Sequence, residues 1–345
     1  MRIAILNNAV PFLRGGAEHL ADALELKLRE FGHSSAVFRL PFRWNPPEKI
    51  PEHILACRLM KLPNVDLVIA FKFPAFYVPH PNKVIWLLHQ FRQAYDFWGT
   101  TFQDLPDTAA GRAIRNTIVT SDNNFLPEAK RIYTNSSVTG DRLRKFNNIE
   151  SEILLPPLLS DSHFHCQEYG DFIVCLGRVN AVKRQHLLVK AMKYCRTNVK
   201  LVVAGKSESE SESAAILQII KAENLSQKVI YIDRFVSEEE KVDMLSRCLG
   251  CAYIPYDEDS YGYVTLEGCL SSKPVITCTD SGGIDMLARN NETGYVVEPD
   301  PKAIAESFDR LYSDRQCAMA MGKRALEHAL SFNINWEHVI KKLTS

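Results

Sequence analysis

A chain of 345 residues is too long for one ordinary hydrophobic core, and 46% hydrophobic with 24% charged residues fits a globular protein of about two domains. Lysine plus arginine equals aspartate plus glutamate, 41 each, so there is no overall basic field of the kind that holds a nucleic acid. No apolar run approaches the ~20 residues that span a bilayer, and the start MRIAILNNAVPFLRGG lacks a signal-peptide layout, so a cytoplasmic protein is expected.

Residues 2–6 read as a first buried strand, and the Asn, Pro and double Gly beyond it as a functional loop. Residues 17–31 carry Leu20, Leu24 and Leu28 at helical spacing, with Gly32 as a carboxy-terminal stop. Strands are expected at 34–40, 66–71 and 83–88, whereas 111–126 is ambiguous because its β-branched content competes with a helical period. Pro156-Pro157 ends this first unit, and the polar, turn-rich stretch 156–170 is the expected linker. Strands at 172–176, 200–204, 229–232, 252–255 and 274–277 then alternate with helical patterns at 184–194, 214–222 and 238–247. Such alternation predicts an α/β protein with parallel sheets, the second half a doubly wound, Rossmann-like unit. The Ser- and Glu-rich run 208–213 reads as a solvated loop or helix start, and segment 332–343, with Trp336, either returns to the first domain or caps its own. The expected boundaries are 1–158, 159–330 and 331–345. The nine cysteines form no framework, and the lone Cys248-x-x-Cys251 lacks the second ligand pair of a metal site, leaving a helix end that runs into a buried strand.

Chemistry concentrates in two segments of the second half. Asp259-Ser-Tyr-Gly-Tyr-Val-Thr-Leu-Glu267 sets one acid before a Gly turn and another eight positions later on the following helix. A helix opening near Gly262 presents free amides and a positive end to a diphosphate, while Glu267 can accept hydrogen bonds from ribose hydroxyls and Asp259 can reach those of a sugar. In Leu176-Gly-Arg-Val-Asn-Ala-Val-Lys-Arg-Gln, Arg178 and Lys183 flank a strand-to-helix turn, where two cations can neutralise a pyrophosphate leaving group. Taken singly, each pair also fits surface charges around a turn; their order along one α/β unit favours the site.

Together these segments resemble the retaining glycosyltransferases of family four, whose fold sets two Rossmann-like domains facing across a cleft (the glycosyltransferase B-type fold). The family's Glu, seven residues, Glu pattern is met with Asp259 in place of the first Glu, and its Gly-Arg-x-x-x-x-Lys element is intact, although the Gly that often follows is Arg184. Gly15-Gly16-Ala-Glu18, Ile132-Tyr-Thr-Asn-Ser136, Ser281-Gly-Gly283 and the stretch from Leu88 to Asp96 agree with it. The resemblance covers essentially the whole chain, and the carboxy-terminal half is the more specific.

The resemblance implies an N-terminal acceptor domain, a C-terminal nucleotide-sugar donor domain, and a hexose moved without a metal or other cofactor. Arg178 and Lys183 would hold the donor diphosphate, Glu267 the ribose, and Asp259 the sugar hydroxyls, with neighbouring Glu258 as second choice. The amides of Gly262, Tyr263 and Val264 would touch sugar or phosphates, Phe235 and Val236 would frame the base, and Gly15 and Gly16 would admit the donor and acceptor closely. His89 would contact the transferred sugar, with Arg92, Tyr95 and Asp96 on the acceptor side or, equally, in a packed loop–helix junction. UDP-sugars are favoured over GDP-mannose by family frequency, and the expected acceptor is a glycan, a glycolipid or a small molecule. Arg58-Leu-Met-Lys61 and the stretch 142–145 offer peripheral contact with anionic lipid or are plain solvated helix faces. Competing readings are a non-catalytic nucleotide-sugar-binding subunit, and an epimerase or phosphorylase on the same fold. Asp257-Glu-Asp259 also reads as a metal-binding D-x-D, and no G-x-G-x-x-G follows the first strand to suggest an oxidoreductase.

Overall fold

Strands form where β-branched and apolar residues run continuously, because a parallel strand covered on both faces buries every side chain. In the computed structural model, which describes residues 1–10, 15–159 and 163–345, twelve such strands appear among the described residues, so positions 160–162 of the expected linker lie outside them. The α/β class with parallel sheets is the architecture the alternation predicts. The chain divides into two compact units, Met1–Leu159 with Ile334–Ser345, and Ser160–Asn333.

The first unit contains β1 (Arg2–Ala9), α1 (Gly16–Glu30), β2 (Ser34–Pro41), α2 (Ile50–Leu59), β3 (Leu67–Lys72), β4 (Lys83–His89), α3 (Ala109–Phe125), β5 (Arg131–Thr134), α4 (Ser137–Asn147) and β6 (Glu152–Ile153). Its sheet runs β2-β1-β3-β4-β5-β6, all parallel. The ambiguous stretch at 111–126 is helical: Thr108 caps it by accepting from the Gly111 amide, and Ile114 and Ile118 are buried on one face. Gly32 follows α1 at φ +82°, the left-handed geometry of a helix stop.

The second unit contains β7 (Phe172–Leu176), α5 (Gln185–Ala191), β8 (Lys200–Ala204), α6 (Glu210–Ala222), β9 (Val229–Ile232), α7 (Glu238–Arg247), β10 (Gly250–Ala252), α8 (Tyr263–Leu270), β11 (Val275–Cys278), β12 (Gly294–Val297), α9 (Pro301–Ser313) and α10 (Arg315–Ser331). Its sheet order is β12-β11-β10-β7-β8-β9. Read from β7, this is the 3-2-1-4-5-6 order of a doubly wound sheet, with the direction of winding reversing between β7 and β10. The Ser/Glu run is a helix start: Ser209 caps α6 by accepting from the Glu212 amide. The final helix, α11 (Trp336–Thr344), packs in the first unit, where Trp336, Val339, Ile340 and Leu343 join Leu20, Leu24 and Ile69 in one buried cluster.

Candidate functional site

At the reversal point of a doubly wound sheet the two flanking loops diverge and leave a crevice at the carboxyl ends of the strands. In the second unit these loops follow β7 and β10, and they carry most of the charged residues singled out above. The β7 loop turns at Gly177, φ +118°. Arg178, next in the chain, is exposed, and its guanidinium has no ion-pair partner among the described residues. Asn180 then closes a turn by accepting from the Lys183 amide at 2.9 Å.

Lys183 meets the β10 loop directly. Its ammonium is ion-paired with Glu258 and donates to the Tyr253 hydroxyl at 2.5 Å; that hydroxyl lies 3.3 Å from the same Glu258 oxygen. Burial pushes the Lys183 ammonium down, but the Glu258 carboxylate and Tyr253 more than offset it, so its pKa stands above the ordinary lysine value. Burial and Glu258 push the Tyr253 phenol up. The cluster therefore holds a fixed ammonium beside a neutral phenol.

Arg184 occupies the left-handed region, φ +56°, where the resembling family often has Gly. Its Nε donates to the Ile254 carbonyl at 2.8 Å and Nη2 to the Pro255 carbonyl at 2.9 Å, while the guanidinium grips Asp280 at 2.6 and 2.7 Å. Backbone bonds lace the same three loops: Tyr256 N–H to Val182 O at 2.7 Å, Asp257 N–H to Asp280 O at 2.8 Å, and Gly283 N–H to Glu258 O at 3.0 Å. A Cβ on Gly282, φ +66°, would lie 2.4 Å from the Glu258 carbonyl, which is why a Gly stands there.

Asp259 is buried beside this cluster. Gly262 precedes α8 at φ +68°, and a Cβ there would sit 2.5 Å from the Tyr253 ring, so the tyrosine that meets Lys183 also fixes where α8 begins. Tyr263 and Val264 open the helix ahead of its first bonded turn, Thr265 N–H to Gly262 O at 3.0 Å. Glu267, buried one turn further, pairs through Oε1 with Lys241 of α7 at 2.5 Å, while its Oε2 is buried with no hydrogen-bond partner among the described residues. Burial raises the Glu267 pKa, and Lys241 opposes that rise. Phe235 is 75% exposed at the tip of the loop after β9, and Val236 beside it packs against the cluster of Val174 and Leu176. A cavity of about 460 Å³ lined by Phe164, Cys166, Leu270 and Leu330 contains none of these groups.

The first unit holds the remaining candidates. Gly15 stands extended at the head of α1, its amide donating to Glu18 at 2.8 Å, and Gly16 is the first helical residue. Glu18 pairs with Lys72 at 3.2 Å and lies 3.4 Å from the Asn7 amide nitrogen. These three groups come from the ends of β1 and β3 and the head of α1, at this sheet's own reversal point. The sequence reading had passed over Asn7 and Lys72, although a polar residue ending an apolar strand was the available signal. His89 ends β4, with Nδ1 2.7 Å from the Gln90 carbonyl. Arg92 is committed to Asp96 at 2.6 Å and to the Phe97 ring at 3.8 Å, and Asp96 also faces Arg142 at 3.5 Å. Tyr95 is buried, and its hydroxyl donates to Asp122 at 2.6 Å. The structure thus brings Lys183 and Glu258 together, gives Glu267 to Lys241, and joins Arg92 to Asp96.

Residues 166–328 match the family model described as glycosyl transferases group 1. The chain is 27% identical over 241 residues to the capsular polysaccharide biosynthesis glycosyltransferase CapM of Staphylococcus aureus, a match that covers 67% of this chain and only 59% of that relative. Its fold is similar to that of sucrose-phosphate synthase from Thermosynechococcus elongatus, with TM-score 0.80 and 18% identity over 99% of this chain and 97% of the other. It is similar also to Anabaena HepE, solved in complex with UDP and glucose, with TM-score 0.75 and 15% identity over 100% and 99% of the two chains.

Proposed function

From the premise that this chain, through residues 166–328, belongs to the group 1 glycosyltransferases, we propose that it moves a hexose from a nucleoside diphosphate sugar to an acceptor hydroxyl, with retention and without a metal. The observation that carries this reading is the charged cluster at the reversal point of the second sheet: Lys183 held by Glu258 and Tyr253, with the guanidinium of Arg178 on the same loop free of any ion pair among the described residues. The chemistry asks for positive charge where a nucleoside diphosphate departs, and a water-poor, prearranged cation supplies it without reorganisation. Lys183 and Arg178 take the diphosphate, helped by the amides of Gly262, Tyr263 and Val264. Glu267 takes the ribose, Phe235 and Val236 the base, and Asp259 or Glu258 the sugar hydroxyls. With no protein nucleophile assigned, the acceptor hydroxyl attacks the anomeric carbon from the face the nucleoside diphosphate vacates, its proton passing to the departing phosphate oxygen, and rate depends on holding the two side by side on that face. We assign the acceptor to the first unit, beside Gly15 and Gly16, with His89 toward the transferred sugar.

UDP-sugars come first as donors because the fold neighbour HepE was solved with UDP and with UDP-glucose. A glycan acceptor is favoured by the similarity to CapM, a glycosyltransferase of capsular polysaccharide biosynthesis. No helix among the described residues is long and apolar enough to cross a membrane.

Thermal-shift screening against UDP, GDP, UDP-glucose and GDP-mannose, followed by transfer assays in excess EDTA, tests the reading. Arg178→Ala and Lys183→Ala should each lower turnover about a hundredfold, roughly 3 kcal/mol of lost leaving-group stabilisation, in a folded protein. Near-native rates in both at saturating donor would sink the assignment. Activity lost in EDTA and restored by Mn²⁺ would sink its metal independence.

A further inference from the structure

The two oxygens of Glu267 are in different states. Oε1 accepts from Lys241 at 2.5 Å, whereas Oε2 is buried and has no partner among the described residues, on a residue only 4% exposed. An unmade hydrogen bond on a buried carboxylate carries the full cost of its desolvation. Such an oxygen in a folded protein calls for an explanation, and a donor brought by a ligand is one.

Lys241 is placed to decide which oxygen stays open. It lies on α7, whose start is fixed by a reciprocal cap: the Ser237 hydroxyl accepts from the Glu240 amide at 3.2 Å, and Glu240 accepts from the Ser237 amide at 3.0 Å. Arg234 clamps the same Glu240 at 2.6 and 2.9 Å. The Lys241 ammonium also meets Glu238 at 2.9 Å and stands 5.7 Å from the Phe164 ring. The helix thus springs from the loop of Phe235 and Val236 and sends one cation onto the carboxylate.

We propose that Lys241 is a positioning residue for nucleotide recognition: by occupying Oε1 it leaves Oε2 as the better acceptor of Glu267, so the site reads the two ribose hydroxyls unequally. The inference rests on the nucleotide-binding reading of this unit given above. A carboxylate with two equivalent oxygens serves two vicinal hydroxyls alike; when one oxygen already accepts from an ammonium it is the poorer acceptor, and the hydroxyl that meets the open oxygen is read the more strongly.

Titration calorimetry tests it with whichever of UDP and GDP binds the native chain more tightly, and with its 2′-deoxy and 3′-deoxy forms. The expected native pattern is asymmetric: one deoxy form binds at least tenfold more weakly, the other within threefold of the parent. Lys241→Met, which opens Oε1 as well, should bring the two deoxy penalties within threefold of each other, while Lys241→Arg keeps the asymmetry. Equal penalties in the native chain, large or absent, overturn the inference and leave the nucleotide-binding reading standing. A Lys241→Met protein in which all three nucleotides weaken by one common factor also overturns it, since a merely structural role acts that way. If neither UDP nor GDP binds the native chain, the functional reading falls and this inference with it.

Discussion

Asp122 has no solvent exposure and lies between two phenols, accepting from Tyr77 and from Tyr95 at 2.6 Å each. Burial pushes its carboxyl up to about 6 despite those two hydrogen bonds, which act the other way. The folded-state pKa is therefore above the unfolded one, so the folded chain holds this proton more tightly. The stability this contributes is fully present below about pH 4 and is lost as pH rises through about 6. Between pH 5 and 7.5 the loss is about 1.4 kcal/mol, from the shift and the titration curve. Asp122→Asn keeps the shape of the protonated acid and cannot ionise, so its stability relative to the native chain should rise by about that amount over the same interval. Denaturant unfolding of both proteins at pH 5 and 7.5 measures it, and parallel pH profiles would refute the buried ionisation. Tyr95 thereby has a structural duty that its position in the His89–Asp96 stretch does not reveal.

At the scale of elements, legibility followed from whether the information was local. The strands β7, β8 and β9 were readable because a parallel strand covered on both faces is a continuous apolar run with turn residues at its ends. β10 begins at Gly250, earlier than expected, because a bare backbone there lets the Pro274 carbonyl and Leu311 come within 3.1 and 3.3 Å of where a Cβ would stand. The sequence marked which loops carry charge, Arg178 to Lys183 and Asp257 to Glu267, but not which partners meet them. Tyr253 reaches Lys183 across 70 positions, and Asp280 reaches Arg184 across 96, so no spacing rule exposes either. Arg184 is the instructive case, since Gly would suit its left-handed backbone better by roughly 1 kcal/mol. Against that, Arg184→Gly leaves the buried Ile254 and Pro255 carbonyls without their donor, at roughly 1–3 kcal/mol each, and deprives the partly exposed Asp280 of its partner. The net expectation is a loss of roughly 1 kcal/mol or more in the stability of the second unit, with turnover falling because the neighbouring Lys183 loses its anchored turn. Equilibrium unfolding and transfer rates on the single variant check both; a stabilised, fully active Arg184→Gly protein would show that the clamp is dispensable.

At the scale of the whole molecule, the first unit is discontinuous in sequence. Its last helix comes from Ile334–Ser345, after the entire second unit has been made. The attachment of α11 is both apolar and polar. Trp336, Val339, Ile340 and Leu343 are buried against α1, β1 and β3, the Trp336 indole donates to the Leu158 carbonyl at 2.7 Å, Tyr133 donates to the Lys342 carbonyl at 3.1 Å, and Lys342 pairs with Glu152 at 2.5 Å. Four such side chains at roughly 1.5–3 kcal/mol each amount to about 6–12 kcal/mol as an upper estimate. That is comparable with the whole stability of an ordinary domain, about 5–15 kcal/mol. Ending the chain at Asn333 should therefore unfold the first unit while the second keeps its own core. Hydrogen exchange followed by peptide reads this directly: protection should collapse across β1, α1, β3 and β6 and persist across β7, β8 and β10. Trp336→Ala is the milder version, expected to cost about 3–5 kcal/mol and to lower protection in the same strands without abolishing it. If the shortened chain retains native protection in β1 and α1, the first unit is self-sufficient and α11 merely rests on it.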